Sequence, residues 1–245
     1  MAGSTMKRYT ARGVVLGTIK YGDKGVVVQM LTSSHGRQSY MVQGLGSRRG
    51  HSKLALFQPL FVLEFEGLES SHSDLHKMRE VQNEVVFKSV PYDIRKSTMA
   101  LFMAEVLYRL VGESEANEPL FDFVHSSVCA LDEIEEGVAN FHLWFLANLS
   151  RYLGYFPGNE HRKGWWFDMR EGLYVAEMPL HDHTMNAEEA ELLRDLTECD
   201  LECLGEIPLN REQRVAMLSR LVEYYSIHLE AIRSVRSIEI LQEVF

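Results

Sequence analysis

The residues best suited to bind a charged ligand form a short loop in the first quarter of the chain. The segment 46–53 reads Gly-Ser-Arg-Arg-Gly-His-Ser-Lys, so Arg48, Arg49, His51 and Lys53 stand among small residues. A lysine or arginine that displaces a counterion from a phosphate adds salt-dependent affinity for nucleic acid. Because these charges have no evident structural purpose, the segment predicts a phosphate-binding site.

Other basic and aromatic residues lie near this loop in the sequence. Further cations stand at or near the ends of expected strands, at Lys7, Arg8, Lys20 and Arg37. The aromatic residues between them are Tyr9, Tyr21, Tyr40 and Phe57. Stacking of a base on such a ring contributes about 1–3 kcal/mol. Tyr40 and Phe57 also suit a barrel core, and the sequence leaves both roles open for them.

Motifs for catalysis and metal binding are weak. The chain has no P-loop, no His-Glu-x-x-His and no nucleophile elbow. His161, His181 and His183 lie near Asp168 and Asp182, but a zinc site requires a further well-placed ligand. Cys199 and Cys203 have no matching pair at zinc-finger spacing. We therefore predict no enzyme activity, no cofactor and no metal.

Charge is distributed unevenly along the chain, whose formal total is −10. Residues 1–60 contain nine lysines and arginines against one aspartate, so this part carries +8. The remaining residues contain 16 basic and 34 acidic side chains and carry −18. Such asymmetry indicates a nucleic-acid partner for the basic part.

Composition excludes several classes of protein. Apolar residues make up 46% and charged residues 24%, which argues against a disordered or collagen-like chain. Three cysteines are too few for a disulfide framework. No apolar run approaches the roughly 20 residues that span a bilayer, and the polar start does not suggest a signal peptide. We expect a soluble, cytoplasmic protein that does not contact membranes.

Local patterns predict strands first and helices afterwards. Five short strands are expected at 14–19, 26–31, 39–42, 61–66 and 74–81. Five strands in this length suggest a small closed barrel, and the OB-fold is a five-stranded barrel that binds oligonucleotides.

Beyond Pro91, apolar residues recur at helical spacing over 99–111, 141–153 and 215–229, with Gly154 as one expected helix end. The segment 163–177 predicts a β-hairpin. We therefore predict an α+β chain. An OB-fold DNA-binding domain would cover residues 1–82, and a helical domain with the inserted hairpin would cover 83–245.

Several motifs, in this order, resemble the RecO family of bacterial recombination mediators. In the expected barrel they are Tyr-Gly-Asp-Lys at 21–24, Gly-Leu-Gly-Ser-Arg-Arg at 44–49, Leu-Phe-Gln-Pro-Leu at 56–60 and Leu-His-Lys-Met-Arg-Glu at 75–80. Tyr-Tyr at 224–225 and Arg-Ser-Val-Arg-Ser at 233–237 are similar to the family's last helices. The resemblance covers nearly the whole chain.

The resemblance implies a non-enzymatic protein of DNA repair, associated with the bacterial nucleoid. Family members bind single- and double-stranded DNA through the OB barrel and anneal complementary strands. With RecR they assist RecA loading on DNA coated by single-stranded DNA-binding protein, whose acidic tail docks on the helical domain. The DNA surface implied for this chain comprises Lys7, Arg8, Lys20, Arg37, Arg48, Arg49, His51 and Lys53. No motif identifies the residues that contact protein partners.

One departure from the family concerns zinc. Many members carry four zinc-binding cysteines after the motif matched here by Tyr-Leu-Gly-Tyr at 152–155. This chain has Gly-Asn-Glu-His at 158–161 and no cysteine until Cys199. We expect that the zinc is lost and that Trp165 and Trp166 stabilise the hairpin by packing.

Two other functions remain open from the sequence. A metal-dependent hydrolase would use His161, His181 and His183. A protein adaptor without DNA binding would bind an acidic protein partner through its basic barrel.

Overall fold

The computed structural model describes residues 7–22, 25–43, 53–69, 75–113 and 116–245, and its first part is a five-stranded barrel. The strands are β1 (Lys7–Tyr21), β2 (Gly25–Thr32), β3 (Gly36–Gln43), β4 (Val62–Glu69) and β5 (Leu75–Asn83). They pair in the order β1-β2-β3-β5-β4, and β4 pairs with β1 to close the ring. Only β3 and β5 run parallel among these pairs. This architecture fits the predicted OB-fold.

Alternate residues of the strands fill the barrel interior, as the period-2 pattern requires. Val28, Met30 and Phe65 are buried there, and the Tyr40 ring meets Phe65 edge-on with 4.9 Å between centroids. Phe57, at the end of the short 3₁₀ helix Ala55–Phe57, belongs to the same core. Tyr40 and Phe57 are therefore core residues and cannot serve as exposed stacking platforms.

Tyr9 crosses β4 at Gly67, where any side chain would meet the tyrosine ring. A Cβ atom at Gly67 would lie 2.4 Å from the Tyr9 ring. The ring stacks on His35 at 4.1 Å, and its hydroxyl lies 2.9 Å from that of Tyr40. Burial raises the pKa of both phenols, so the two hydroxyls stay neutral and share a hydrogen bond.

Two described residues other than glycine have a left-handed backbone, Leu60 with φ of 63° and Glu80 with φ of 47°. Leu60 occupies the third position of a turn in which the Phe61 N–H donates to the Gln58 carbonyl, and its side chain is fully buried. Glu80 lies where the β4–β5 register shifts, which marks a β-bulge. A left-handed residue with a Cβ costs about 1–2 kcal/mol, so packing must offset the strain at both positions.

Helices dominate the chain after the barrel, as predicted. They are α1 (Ile94–Leu110), α2 (Glu118–Glu133), α3 (Phe141–Leu153), α4 (Ala187–Glu198), α5 (Arg211–His228) and α6 (Ser237–Val244). Gly154 ends α3 with φ of 85°, and its N–H donates to the Ser150 carbonyl. Asn186 and Asn210 cap α4 and α5, each through a reciprocal capping box.

The predicted hairpin is present as part of a small antiparallel sheet. Its strands are β6 (Trp166–Asp168), β7 (Leu173–Val175) and β8 (Thr184–Met185), in the order β7-β6-β8. Phe167 is fully buried and contacts the rings of Tyr174 and Tyr224, whereas Trp165 and Trp166 are only half-buried. The core of this small sheet is therefore formed around Phe167, to which the half-buried tryptophans are secondary.

Contacts within the chain define two compact units. The first comprises Met1–Lys88 with Met103–Cys129, and the second comprises Ser89–Phe102 with Ala130–Phe245. Within the first unit, the Arg12 guanidinium lies over the ring of Phe121 in α2 and donates to Glu84. The end of α1 and most of α2 thus belong with the barrel. Among the described residues, no helix is long and apolar enough to cross a membrane.

Candidate nucleic-acid interface

The barrel contains a cavity at the seam where β3 and β5 meet. Among the described residues, the parallel pairing joins Ser39 with Leu75, Tyr40 with His76 and Met41 with Lys77. Beyond the last pair lies a cavity of about 630 Å³, which we call the seam cavity. Its walls come from the end of β3, the residues around the Ala55–Phe57 helix and residues 77–82 of β5. The volume lies within the about 300–1,000 Å³ typical of ligand sites.

Basic side chains surround this cavity. Lys53, Lys77 and Arg79 line it and are exposed, and none of them makes an ion pair with another described residue. Glu80 also lines the cavity and offsets part of their charge. Exposed cations without a carboxylate partner are available to bind an anionic ligand, so the cavity is electrostatically suited to phosphate groups.

Lys77 and Arg79 were not among the predicted site residues. They flank buried Met78 in β5, so the period of a strand places both on the face opposite to Met78. The sequence contains this signal, because Lys77 and Arg79 alternate with an apolar residue inside the expected strand 74–81. Their proximity to Lys53 depends on the parallel closure of the barrel, which no local pattern indicates.

The structure distributes the predicted DNA-binding residues over different parts of the barrel. Lys7 and Lys20 are exposed near the two ends of β1, and Lys53 lines the seam cavity. Arg8 is exposed too, but its Nε lies 3.0 Å from Glu66 Oε1. Three predicted residues fall outside the described part of the chain, namely Arg48, Arg49 and His51. Gln43 and Lys53, which border the segment 44–52 in the sequence, both line the cavity.

Arg37 is already engaged within the first unit. Its guanidinium lies over the Tyr108 ring at 5.0 Å, donates to the Tyr108 carbonyl at 3.3 Å, and lies 3.6 Å from a Glu113 carboxylate oxygen. Its side chain is only 15% exposed. These contacts give the positive charge of Arg37 a structural role, and we therefore leave it out of the DNA surface proposed below.

A row of three apolar residues and one lysine connects the seam cavity to the β1–β2 hairpin. Ile19 pairs with Val27, Val27 pairs with Met41, and Met41 pairs with Lys77, so these four residues follow one another across neighbouring strands. We call them the outer row. Ile19 is 53% exposed, and Tyr21, two residues further along the same strand face, is 59% exposed. The outer face thus offers apolar and aromatic surface beside cations.

The histidines considered for metal binding are engaged separately. His181 donates to Asp168 Oδ2 at 3.3 Å, and His183 donates to Glu223 Oε1 at 3.0 Å. His161 meets the Tyr174 ring edge-on. In the part of the chain that the structure describes, no group of three or more His, Cys, Asp or Glu side chains is arranged to hold a metal ion. This geometry does not support a metal-dependent hydrolase.

The zinc implied by the resemblance does not fit the residues present. In the segment where many family members carry the zinc cysteines, this chain has Asn159, whose side chain makes two hydrogen bonds to the backbone of Tyr174. Its Nδ2 donates to the Tyr174 carbonyl at 2.8 Å, and its Oδ1 accepts from the Tyr174 N–H at 2.7 Å. An amide that satisfies both backbone groups of a buried residue ties this segment to β7 without a metal.

Comparison with protein families agrees with this architecture. A family model described as Recombination protein O N terminal matches residues 6–84, which include all five barrel strands. A second, described as Recombination protein O C terminal, matches residues 91–236. Together the two models cover most of the chain.

Curated relatives match over almost their full length. A DNA repair protein RecO from Bacteroides fragilis is 37% identical over 95% of this chain and 97% of its own length. The RecO protein of Phocaeicola vulgatus is 36% identical with the same coverage, and that of Flavobacterium psychrophilum is 33% identical over 96% of this chain and 98% of its own length. This chain belongs to the RecO family.

Proposed function

We propose that the chain is a DNA-binding recombination mediator that holds DNA on its barrel and has no catalytic activity of its own. Membership of the RecO family supports a role in DNA repair and recombination. In this proposal the barrel binds single- and double-stranded DNA, and the protein anneals complementary strands.

One observation carries the DNA-binding part of the proposal. Lys53, Lys77 and Arg79 surround the seam cavity without carboxylate partners in the described chain, next to the outer row. Cations bind the phosphates of either DNA form, while exposed apolar and aromatic side chains stack unpaired bases. Binding through phosphates carries no sequence information, so we expect little sequence preference.

Residues outside the cavity extend this surface. Lys7 and Lys20 are exposed on β1, and Tyr21 at the end of the same strand is exposed as well. From the sequence, Arg48, Arg49 and His51 add charge within nine residues that join two cavity-lining positions, Gln43 and Lys53. The proposed DNA surface therefore comprises Lys7, Arg8, Lys20, Arg48, Arg49, His51, Lys53, Lys77 and Arg79.

The partners proposed for the second unit follow from the family alone. We infer that the protein acts with RecR to assist RecA loading on DNA coated by single-stranded DNA-binding protein, in the cytoplasm at the nucleoid. Residues 61–245 carry a net charge of −18, which opposes the DNA backbone. The negative net charge of this part also repels the acidic tail of single-stranded DNA-binding protein. Binding of that tail would therefore need a local basic pocket.

The test is the salt dependence of DNA binding by the full-length protein, measured by fluorescence anisotropy with a labelled single strand. Each phosphate contact contributes about 0.7 to the slope of log affinity against log salt for single strands. Replacing Lys53, Lys77 and Arg79 together by glutamine should reduce that slope by about 2. A second variant, Arg48→Gln with Arg49→Gln, measures the contribution of the loop separately.

Arg37→Gln is the matched control, because its charge is engaged with Tyr108 and Glu113. It should leave the slope unchanged. Equal slopes for the wild type and the triple variant would contradict the proposed site, and no detectable binding of any DNA by the wild type would contradict the function. Annealing rates of complementary oligonucleotides, measured on the same proteins, test the mediator activity.

A further inference from the structure

We propose that the seam cavity accepts an unpaired base of a single DNA strand. This inference rests on the proposed DNA-binding function and adds a binding mode to it. The barrel would then hold single strands by base insertion as well as by charge, whereas duplex DNA would be held by its phosphates alone.

The cavity brings apolar side chains together with basic ones. Phe57, Met78 and Val42 line it and are all buried members of the barrel core. Met41 and Leu56 line it as well and are half-buried. Phe57, Met78 and Val42 form a buried floor, so an occupant meets the half-buried side chains of Met41 and Leu56 together with the basic side chains of Lys53, Lys77 and Arg79.

This combination selects a particular ligand chemistry. The thioether of Met41 can make favourable contacts with a flat π-system such as the ring of a base. Gln43 also lines the cavity and is exposed, so its amide can both donate to and accept from a base edge. The cations require a negative charge directly outside. A nucleotide unit supplies a flat apolar body attached to a phosphate.

Continuity with the outer row favours a nucleic-acid strand over an acidic peptide. Met41 belongs to the outer row and to the cavity wall, and its register partner Lys77 also lines the cavity. A strand whose bases follow Ile19 and Val27 therefore reaches the cavity without leaving the barrel surface. In a duplex, pairing and stacking keep the bases out of such a site, and extrusion of one base costs a few kcal/mol.

The test compares full-length wild-type protein bound to two single-stranded oligonucleotides of equal length, one normal and one in which every base is replaced by an abasic site. Both carry the same number of phosphates, so charge alone gives equal affinity. Base contacts should make the abasic strand bind about tenfold more weakly, a value within the range of one stacked base.

A variant then assigns the effect to the cavity. Met41→Ala removes apolar surface from its wall and leaves the charge unchanged, so the ratio between normal and abasic strands should fall severalfold. Val86→Ala, at a 75% exposed position outside the cavity lining, should retain the wild-type ratio. Circular dichroism confirms that both variants are folded.

Each outcome is decisive. Equal affinity of the wild type for normal and abasic strands overturns the inserted base while the proposed DNA binding stands, and it is also the result expected if an acidic peptide is the natural occupant. An unchanged ratio in folded Met41→Ala overturns the assignment to the seam cavity. If that variant does not fold, the comparison with wild-type protein alone still decides whether bases contribute. Failure of every DNA to bind contradicts the proposed function itself.

Discussion

Met41 of β3 lies opposite Lys77 of β5 in the last parallel pair before the seam cavity begins. The pair places an apolar side chain and a basic side chain on neighbouring strands, one strand spacing apart, about 4.8 Å. The proposed binding of single-stranded DNA depends on the proximity of these two side chains, one suited to a base and the other to a phosphate.

Glu80 combines a negative charge at the cavity with a strained backbone. It lines the cavity together with Lys53, Lys77 and Arg79, and its φ of 47° is unfavourable for a residue with a Cβ. Glu80→Gln and Glu80→Gly should both bind single strands roughly two- to fivefold more tightly, because both remove the negative charge. Titrations with labelled oligonucleotide at low salt measure this gain.

Only the glycine variant should also change the stability. Relief of the left-handed strain, about 1–2 kcal/mol, exceeds the extra chain entropy of glycine, about 0.5–1 kcal/mol. Urea unfolding should therefore give Glu80→Gly a free energy of unfolding up to about 1 kcal/mol above that of Glu80→Gln. The opposite order would show that the bulge does not strain the chain.

His142 should make the protein sensitive to mild acid. The ring is buried beside Phe102 and Phe245, and burial, aided by the charge of Arg214, lowers the pKa of His142 to about 3. In the unfolded chain its pKa is about 6.5. Below pH 6.5 the unfolded state therefore binds a proton that the folded state excludes until near pH 3, so stability falls as the pH falls.

Between pH 7 and pH 5, His142 alone should lower the free energy of unfolding by about 2 kcal/mol. His142→Leu removes the titrating group and keeps an apolar side chain of similar size. The difference in unfolding free energy between wild type and variant should shift by that amount in favour of the variant on going from pH 7 to pH 5. Parallel pH profiles for the two proteins would refute the assignment.

Asn159 should stabilise its segment without any metal. Asn159→Ala leaves the N–H and the carbonyl of Tyr174 without their partner, which costs about 1–3 kcal/mol for buried groups. Asn159→Asp keeps the acceptor for the N–H and loses the donor, so its effect should be intermediate. Thermal unfolding measures both variants.

A chelator provides an independent measurement on the wild type. Because no described group of side chains is arranged to bind a metal ion, EDTA should leave the melting temperature unchanged. A clear decrease on chelation would show that a metal contributes to the fold.

The contact between Tyr9 and Gly67 should appear as strong coupling between the two positions. Gly67→Ala places a methyl group 2.4 Å from the Tyr9 ring and should destabilise the barrel by about 1–3 kcal/mol. In a Tyr9→Ala background there is no ring to displace, so the same substitution should have almost no effect. A double-mutant cycle in urea tests this, and additive effects would exclude the clash as the cause.

The fold was largely predictable because its signals are local. Alternation along 61–66 and apolar spacing over 141–153 correspond to β4 and α3, and Gly154 ends the helix as expected. The seam between β3 and β5 was not predictable in detail. Its parallel register joins segments more than thirty residues apart, and no turn or periodic pattern specifies it.

The candidate site was harder to predict because charge alone does not show where a side chain points. In the sequence, Arg37 cannot be distinguished from the other cations of the basic segment. In the structure its guanidinium donates a hydrogen bond to the carbonyl of Tyr108, which is distant in the sequence. Conversely, Lys77 and Arg79 belong to a motif recognised only as a family resemblance. Asn159 gave no signal at all, since its role depends on the backbone of a residue fifteen positions away.

The short seam also has a dynamic consequence. Among the described residues, its three pairs contrast with the eight that join β2 to β3, so transient opening of the barrel should start between β3 and β5. A single DNA strand bound across Met41 and Lys77 would bind only the closed barrel. It would therefore shift the equilibrium between the open and closed forms towards the closed form by mass action. Bound DNA should therefore slow amide hydrogen exchange at the seam. The ligand would in this way stabilise the closed form of the barrel.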